Sequence, residues 1–198
     1  MNFLSLNIRG AGSSTKMEWV RRLKRTHKLQ FLAFQETQFT DSSCIQVRNY
    51  WDSSTYESAA VDANGRSGGL LCIWNPVLFR RKCTIRSQFF LVIVGTLQGS
   101  SEDLIIANVY APQGQSEKNM LWLNLLRLIN TWNGTWILLG DFNDVRTPEE
   151  RMNSAFCKVG AKKLNEFIAQ AGLSEYSMGG RKFTYMTDGG GGGKAQQD

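Results

Sequence analysis

Residues 136–148 read WILLGDFNDVRTP, and the way the chain passes through Gly140 decides what the rest of it builds. Trp136–Leu139 is short, continuously apolar and preceded by the turn pair Asn133-Gly134, the pattern of a fully buried strand. Asp141, Asn143 and Asp144 follow at once, so two acids and an amide sit at the C-terminal mouth of that strand. Such residues either turn the chain or belong to a site. The other strand ends of the sequence separate the two readings.

A chain of 198 residues with 42% hydrophobic content and three prolines fits one domain around one core. Its formal net charge of +6 favours a polyanionic partner such as nucleic acid. The four cysteines, Cys44, Cys72, Cys83 and Cys157, show no C-x-x-C spacing, which argues against a zinc site and against a secreted disulfide scaffold. Cys72 lies in the apolar run LLCIW, as a small core residue does. The start, MNFLSLNIRG, lacks a basic segment followed by a long apolar one, and no stretch approaches the roughly 18 apolar residues of a membrane span. A nuclear or cytoplasmic protein, neither secreted nor membrane-bound, is expected.

NFLSLNI reads as a strand ending in Asn7-Ile8-Arg9-Gly10. Thr15 is placed to cap a helix from Lys16 to about Thr26, with Met17, Val20 and Leu23 on its apolar face. The opposite face carries Arg21, Arg22, Lys24 and Arg25, either a solvated face or a phosphate-contacting or nuclear-localisation patch. LQFLAFQET is a buried strand ending at Glu36. VDANGRSGGLLCIWNP holds an Asn64-Gly65 turn and a strand, and SQFFLVIVGTL and SEDLIIANVYAP are two more, so the middle of the chain reads as consecutive antiparallel strands. Leu121, Leu125, Leu128 and Trp132 mark an amphipathic helix leading into the opening strand. A last helix sets Leu164, Phe167, Ile168 and Ala171 on one side, with Gly172 as its stop. Residues 188–198, DGGGGGKAQQD, form a glycine-rich tail expected to be disordered. The order of elements suggests an α+β protein of two packed sheets with helices outside.

Polar residues that a buried strand does not need stand at four strand ends: Asn7; Glu36; Tyr110 with Asn108; and Asp141 with Asn143. Hydrolysis of a phosphodiester calls for a hard cation held by carboxylate or amide oxygens, a base for water, and donors aimed at the phosphate. Singly these residues also fit turn, surface or core roles. In the order SLNIRG, LQFLAFQET, GRSGGLLCIW, ANVYAP, GDFND and RKFTY, the sequence resembles the endonuclease/exonuclease/phosphatase superfamily. The likeness is strongest to the apurinic-endonuclease-like domain of plant LINE-type, non-LTR retrotransposons, and covers residues 2–187.

That resemblance implies a DNase I-like, four-layer α/β/β/α sandwich of two mixed sheets that nicks DNA with magnesium, manganese being the alternative ion. It matches Glu36 to the metal-ligand glutamate and Asn7 to the asparagine that helps bind metal and phosphate. Asp141 matches the aspartate that orients or deprotonates water, Asn143 the asparagine holding the scissile phosphate, and Tyr110 the tyrosine donating to it. No small-molecule cofactor is implied.

Three departures from the family pattern bear on function. Arg9 stands where apurinic endonucleases place a second metal-site aspartate, which disfavours abasic-site repair. Phe183-Thr184-Tyr185 replaces Phe-Thr-Trp. The family's later Asp-Arg and Ser-Asp-His segments do not occur, and the single histidine, His27, lies between the first helix and the next strand. The sequence therefore reads as a domain over 1–187 lacking its last strand or strands, impaired in activity and monomeric unless its first strand self-associates. Two alternatives stay open: an inactive nucleic-acid-binding remnant, and a superfamily phosphatase acting on a small phosphoester.

Overall fold

The computed structural model describes residues 1–65, 67–150 and 155–176; the Phe183–Tyr185 motif and the glycine-rich tail lie outside them. These residues form two compact units, Met1–Asn143 and Asp144 onward. The first holds two four-stranded mixed sheets. One comprises β1 (Phe3–Asn7), β2 (Phe31–Gln35), β3 (Glu57–Asn64) and β4 (Ser67–Trp74), ordered β1-β2-β4-β3. The other comprises β5 (Phe79–Ser87), β6 (Phe90–Leu97), β7 (Asp103–Tyr110) and β8 (Thr135–Asp141), in sequence order. The protein is α+β.

The run of antiparallel strands expected in the middle of the chain is thus divided, with β3 and β4 in one sheet and β5 to β7 in the other. The division falls at Asn75–Leu78, where Leu78 and Phe79 donate backbone N–H groups to Asn75 O in a tight turn. Each sheet also contains one parallel pair, β1 with β2 and β7 with β8. Parallel neighbours need a long crossover. Helix α1 (Ser14–Thr26) provides the first and α3 (Gln115–Thr131) the second.

Strand pleating assigns the residues to layers. Phe31, Ala33, Leu70, Cys72 and Trp74 from the first sheet meet Leu91, Ile93, Leu104 and Ile106 from the second in the central core. The alternate residues Leu32, Phe34, Leu71 and Ile73 face outward, where Val20 of α1 and Tyr50 and Trp51 of α2 (Arg48–Trp51) cover them. Helix α1 starts earlier than Thr15 implies: Ser13 is its N-cap and makes no side-chain cap bond. Met17, Val20 and Leu23 do face the core. In α3, Leu121, Trp122 and Leu125 are buried, and Trp132 is the C-cap.

Strand β8 forms as read from 136–139 but is half-buried rather than fully buried, because among the described residues it pairs with β7 alone. Strand β1 likewise pairs with β2 alone. In the second unit, α4 (Lys158–Gln170) buries Ala161, Leu164 and Phe167, and Gly172 ends it at φ +63° as expected. Arg146 secures that unit, bonding Asn165 Oδ1 at 2.9 Å and Glu175 at 2.6 Å.

Candidate active site

Parallel strands end together, and that property assembles the cluster. Asn7 is the last residue of β1 and is paired with Gln35, so Glu36 emerges beside it. Tyr110 and Asp141 close β7 and β8 in direct register. Asn7 Nδ2 donates to Glu36 Oε1 at 2.8 Å and to Asp141 Oδ2 at 2.9 Å, so one amide ties a carboxylate from each sheet. Tyr110 OH donates to Glu36 Oε1 at 2.9 Å. Asn143 joins through its backbone N, 3.0 Å from Asp141 Oδ1, while its side-chain Nδ2 donates to Ala111 O at 2.5 Å.

The backbone at these positions is unusual. Arg9, Glu36 and Asn143 have φ of +46°, +54° and +50°, a region that non-glycine residues seldom occupy and that concentrates at functional sites. Beside Glu36, Thr37 N donates to Gly69 O and Gln38 N to Gly68 O. Gly68 and Gly69 take φ of +82° and +83°, and a Cβ on Gly69 would lie 2.2 Å from Thr37 Oγ1. The glycines of GRSGG thereby let the β4 hairpin approach the QET segment and fix Thr37 and Gln38, the two residues after Glu36.

Beneath the cluster, Asn108 is fully buried and serves as a tie between the sheets. It accepts from Gln35 Nε2 at 2.6 Å and donates to Phe34 O at 3.0 Å. Its neighbours on either side of the tie, Glu36 and Tyr110, are thereby held in place. Lys118 was not singled out from sequence; it is 4% exposed and donates to Asn143 O at 2.7 Å. Its signal was a lysine three residues before Leu121, on the apolar face of α3, where burial demands a partner. His27 is exposed at the C-cap of α1, apart from the cluster.

Burial, with the Glu36 hydrogen bond and charge and the Asp141 charge, pushes the Tyr110 hydroxyl up to about 12, Ser67 opposing. Burial alone pushes Tyr50 up to about 12. Tyr110 is therefore a protonated donor throughout the neutral range. Both phenols are neutral in the folded and unfolded chain below pH 10, and the unfolded chain ionises first above it. Stability is thus expected to be intact up to about pH 10 and to fall as pH rises toward 12. Melting temperatures measured between pH 8 and 12 check this, and Tyr50→Phe should flatten the fall.

The oxygen set suits a hard cation. Glu36 Oε1 takes both hydrogen bonds, and among the described residues Oε2 takes none. No group of three His, Cys, Asp or Glu ligands occurs among the described residues, but magnesium commonly uses one or two carboxylates with water and substrate phosphate oxygens. Asn7 is turned with its NH2 toward the carboxylates, and its Oδ1 accepts from Arg9 N at 3.3 Å. As a ligand it would have to present that oxygen instead.

Solved structures share this architecture. The AP endonuclease LMAP from Leishmania major superposes with a TM-score of 0.69 at 14% identity over 85% of this chain and 65% of that one. The fold is DNase I-like. The Xenopus laevis APE2 catalytic domain gives a TM-score of 0.63 at 15% identity, covering 83% and 66% of the two chains. A Neisseria 3′ phosphatase, NExo, bound to product DNA hairpin, gives 0.59 at 15% identity, covering 85% and 69%. This DNase I-like chain spans just under two thirds of the length of the first two. No protein-family model and no curated protein matches the sequence. Among the described residues of this DNase I-like chain, no helix is long and apolar enough to cross a membrane.

Proposed function

We propose that the chain is a magnesium-dependent phosphodiesterase that nicks DNA, of the kind found in LINE-type retrotransposon endonuclease domains. The observation that supports this is the Asn7 amide held between the Glu36 carboxylate of one sheet and the Asp141 carboxylate of the other; in this reading Glu36 binds the metal and Asp141 activates water. Glu36 Oε2, and Asn7 Oδ1 with the amide turned, would hold the ion. Bound magnesium supplies positive charge against the charge developing on the phosphate.

The remaining steps fall to the chain. Asp141 orients the attacking water and accepts its proton as the water oxygen bonds to phosphorus and the P–O bond to the leaving sugar oxygen breaks, that oxygen taking its proton from solvent. Asn143, with its loop held by Lys118, presents its amide to a non-bridging phosphate oxygen. Tyr110 donates to the phosphate as charge accumulates there, and its raised pKa keeps the proton on it. The only histidine is outside the cluster, so these residues supply no imidazole and nicking is expected to be weak. Arg9 in place of a second carboxylate makes abasic sites a poor substrate.

Relaxation of supercoiled plasmid tests the reading. Nicked circles should appear with magnesium or manganese and not in EDTA. Nicking that persists in EDTA, or turnover of a small aryl phosphate with the plasmid left intact, would overturn it.

A further inference from the structure

The charged residues of α1 lead away from the active site. Arg21 and Arg25 on α1 and Arg48 on α2 line an open cleft of about 510 Å³, together with Asn49 and Ser53. Two acids also line it, Glu18 and Asp52. Asp52 is engaged elsewhere: its Oδ2 lies 2.7 Å from Lys24 Nζ and its Oδ1 accepts from Ser54 N. Lys24 is itself held 4.2 Å over the Trp51 ring. Among the described residues, Arg21, Arg25 and Arg48 form no ion pair.

The cations of β5 make the contrast. Arg81 bonds Glu57 at 3.2 Å, Lys82 bonds Asp103 at 2.5 Å, and Arg86 donates to Ala60 O. Those side chains are tied down by the fold. Three guanidinium groups from two elements share this cleft with Glu18, so a positive surplus stays uncompensated there, and an anion relieves it. The planar guanidinium fork matches phosphate oxygens in bidentate geometry.

We infer that this cleft is a second phosphate-binding site, which takes a backbone phosphate of nucleic acid away from the bond being cut. The inference rests on the proposed action on DNA. It goes beyond that reading by adding a contact outside the catalytic cluster: α1 starts at Ser14 near the end of β1, and Arg21 and Arg25 lie about 10 and 16 Å further along its axis at about 1.5 Å per residue. The net charge of +6 agrees with a polyanion as partner.

Anisotropy of a labelled duplex, measured in EDTA across a salt series, separates this site from catalysis. The wild-type chain should lose affinity with salt. The Arg21→Ala/Arg25→Ala/Arg48→Ala variant should bind more weakly with a slope shallower by about 1, at about 0.9 for the one phosphate contact. All three side chains are exposed, so the variant should fold, and a melting curve verifies it. Arg81→Ala/Lys82→Ala on β5, whose cations are already paired with Glu57 and Asp103, should leave the slope unchanged. A wild-type slope in the triple variant would overturn this inference and leave the proposed function standing. Absence of duplex binding by the wild-type chain would sink both.

Discussion

Asp141→Ala is expected to reduce magnesium-dependent nicking by about 10² to 10⁴-fold, the usual cost of removing a positioned base, while the chain stays folded. Asp141 is half-buried at the end of β8, and its two oxygens accept from Asn7 Nδ2 and Asn143 N. Removing it leaves Asn7 with Glu36 as a partner, and no fully buried donor is orphaned. The more discriminating variant is Asp141→Asn. It keeps the shape and an oxygen for Asn143 N but cannot accept a proton from water. If nicking needs only the geometry, Asp141→Asn should stay active. Loss in both variants, with melting temperatures close to wild type, assigns the proton to Asp141. Nicking that survives the alanine variant would remove Asp141 from the mechanism.

The largest structural effect is expected at Gly140. It has φ +140°, and a Cβ there would lie 1.9 Å from Val109 O, an atom of the neighbouring backbone that cannot rotate away. Gly140 and Val109 are register partners, one residue before the Asp141–Tyr110 pair. Gly140→Ala therefore has to push β8 off β7 or abandon the backbone conformation. Strain and overpacking each cost about 1 to 3 kcal/mol. The variant should be destabilised by about 3 kcal/mol or more, lowering the melting temperature by about 6 to 12 °C at this size. Gly99→Ala is the control: its φ is +82°, but nothing lies within 4 Å of the added carbon. Equal melting of the two variants would mean that β7 and β8 do not approach as described.

Strand ends rich in polar residues were legible in the sequence because burial leaves few reasons for Glu36 or Asp141 to follow an apolar run. The sandwich was legible from the alternation of strands and crossover helices. Strand β5 was not, since FRRKCTIRS carries four cations and its alternation is hidden by a bulge between Arg81 and Cys83. Strand β3 escaped too: ESAAVDAN pairs small residues with polar ones and offers little apolar contrast. Thr15 was a plausible cap, but Ser13 lies in extended conformation two residues earlier and begins the helix. Asn108 looked like one more residue of the site. Its burial shows why spacing misled: residues two apart on a strand share a face, so Asn108 follows Tyr110 inward but lies one layer deeper. The ties through Gly69 and Lys118 depend on contacts between distant segments, which no local pattern encodes.

The division of the chain at Asn75–Leu78 splits the carboxylate cluster between two stretches of sequence. Everything before that turn builds the sheet bearing Asn7 and Glu36, and residues 79–143 build the sheet bearing Tyr110, Asp141 and Asn143. Neither portion possesses both carboxylates. A gene broken between the two would encode halves that each lack one carboxylate of the cluster, and the proposed nicking would require the halves to find one another again. The short bond from Asn7 to Asp141 is, in that sense, a coincidence detector: it exists only when both halves have folded and met.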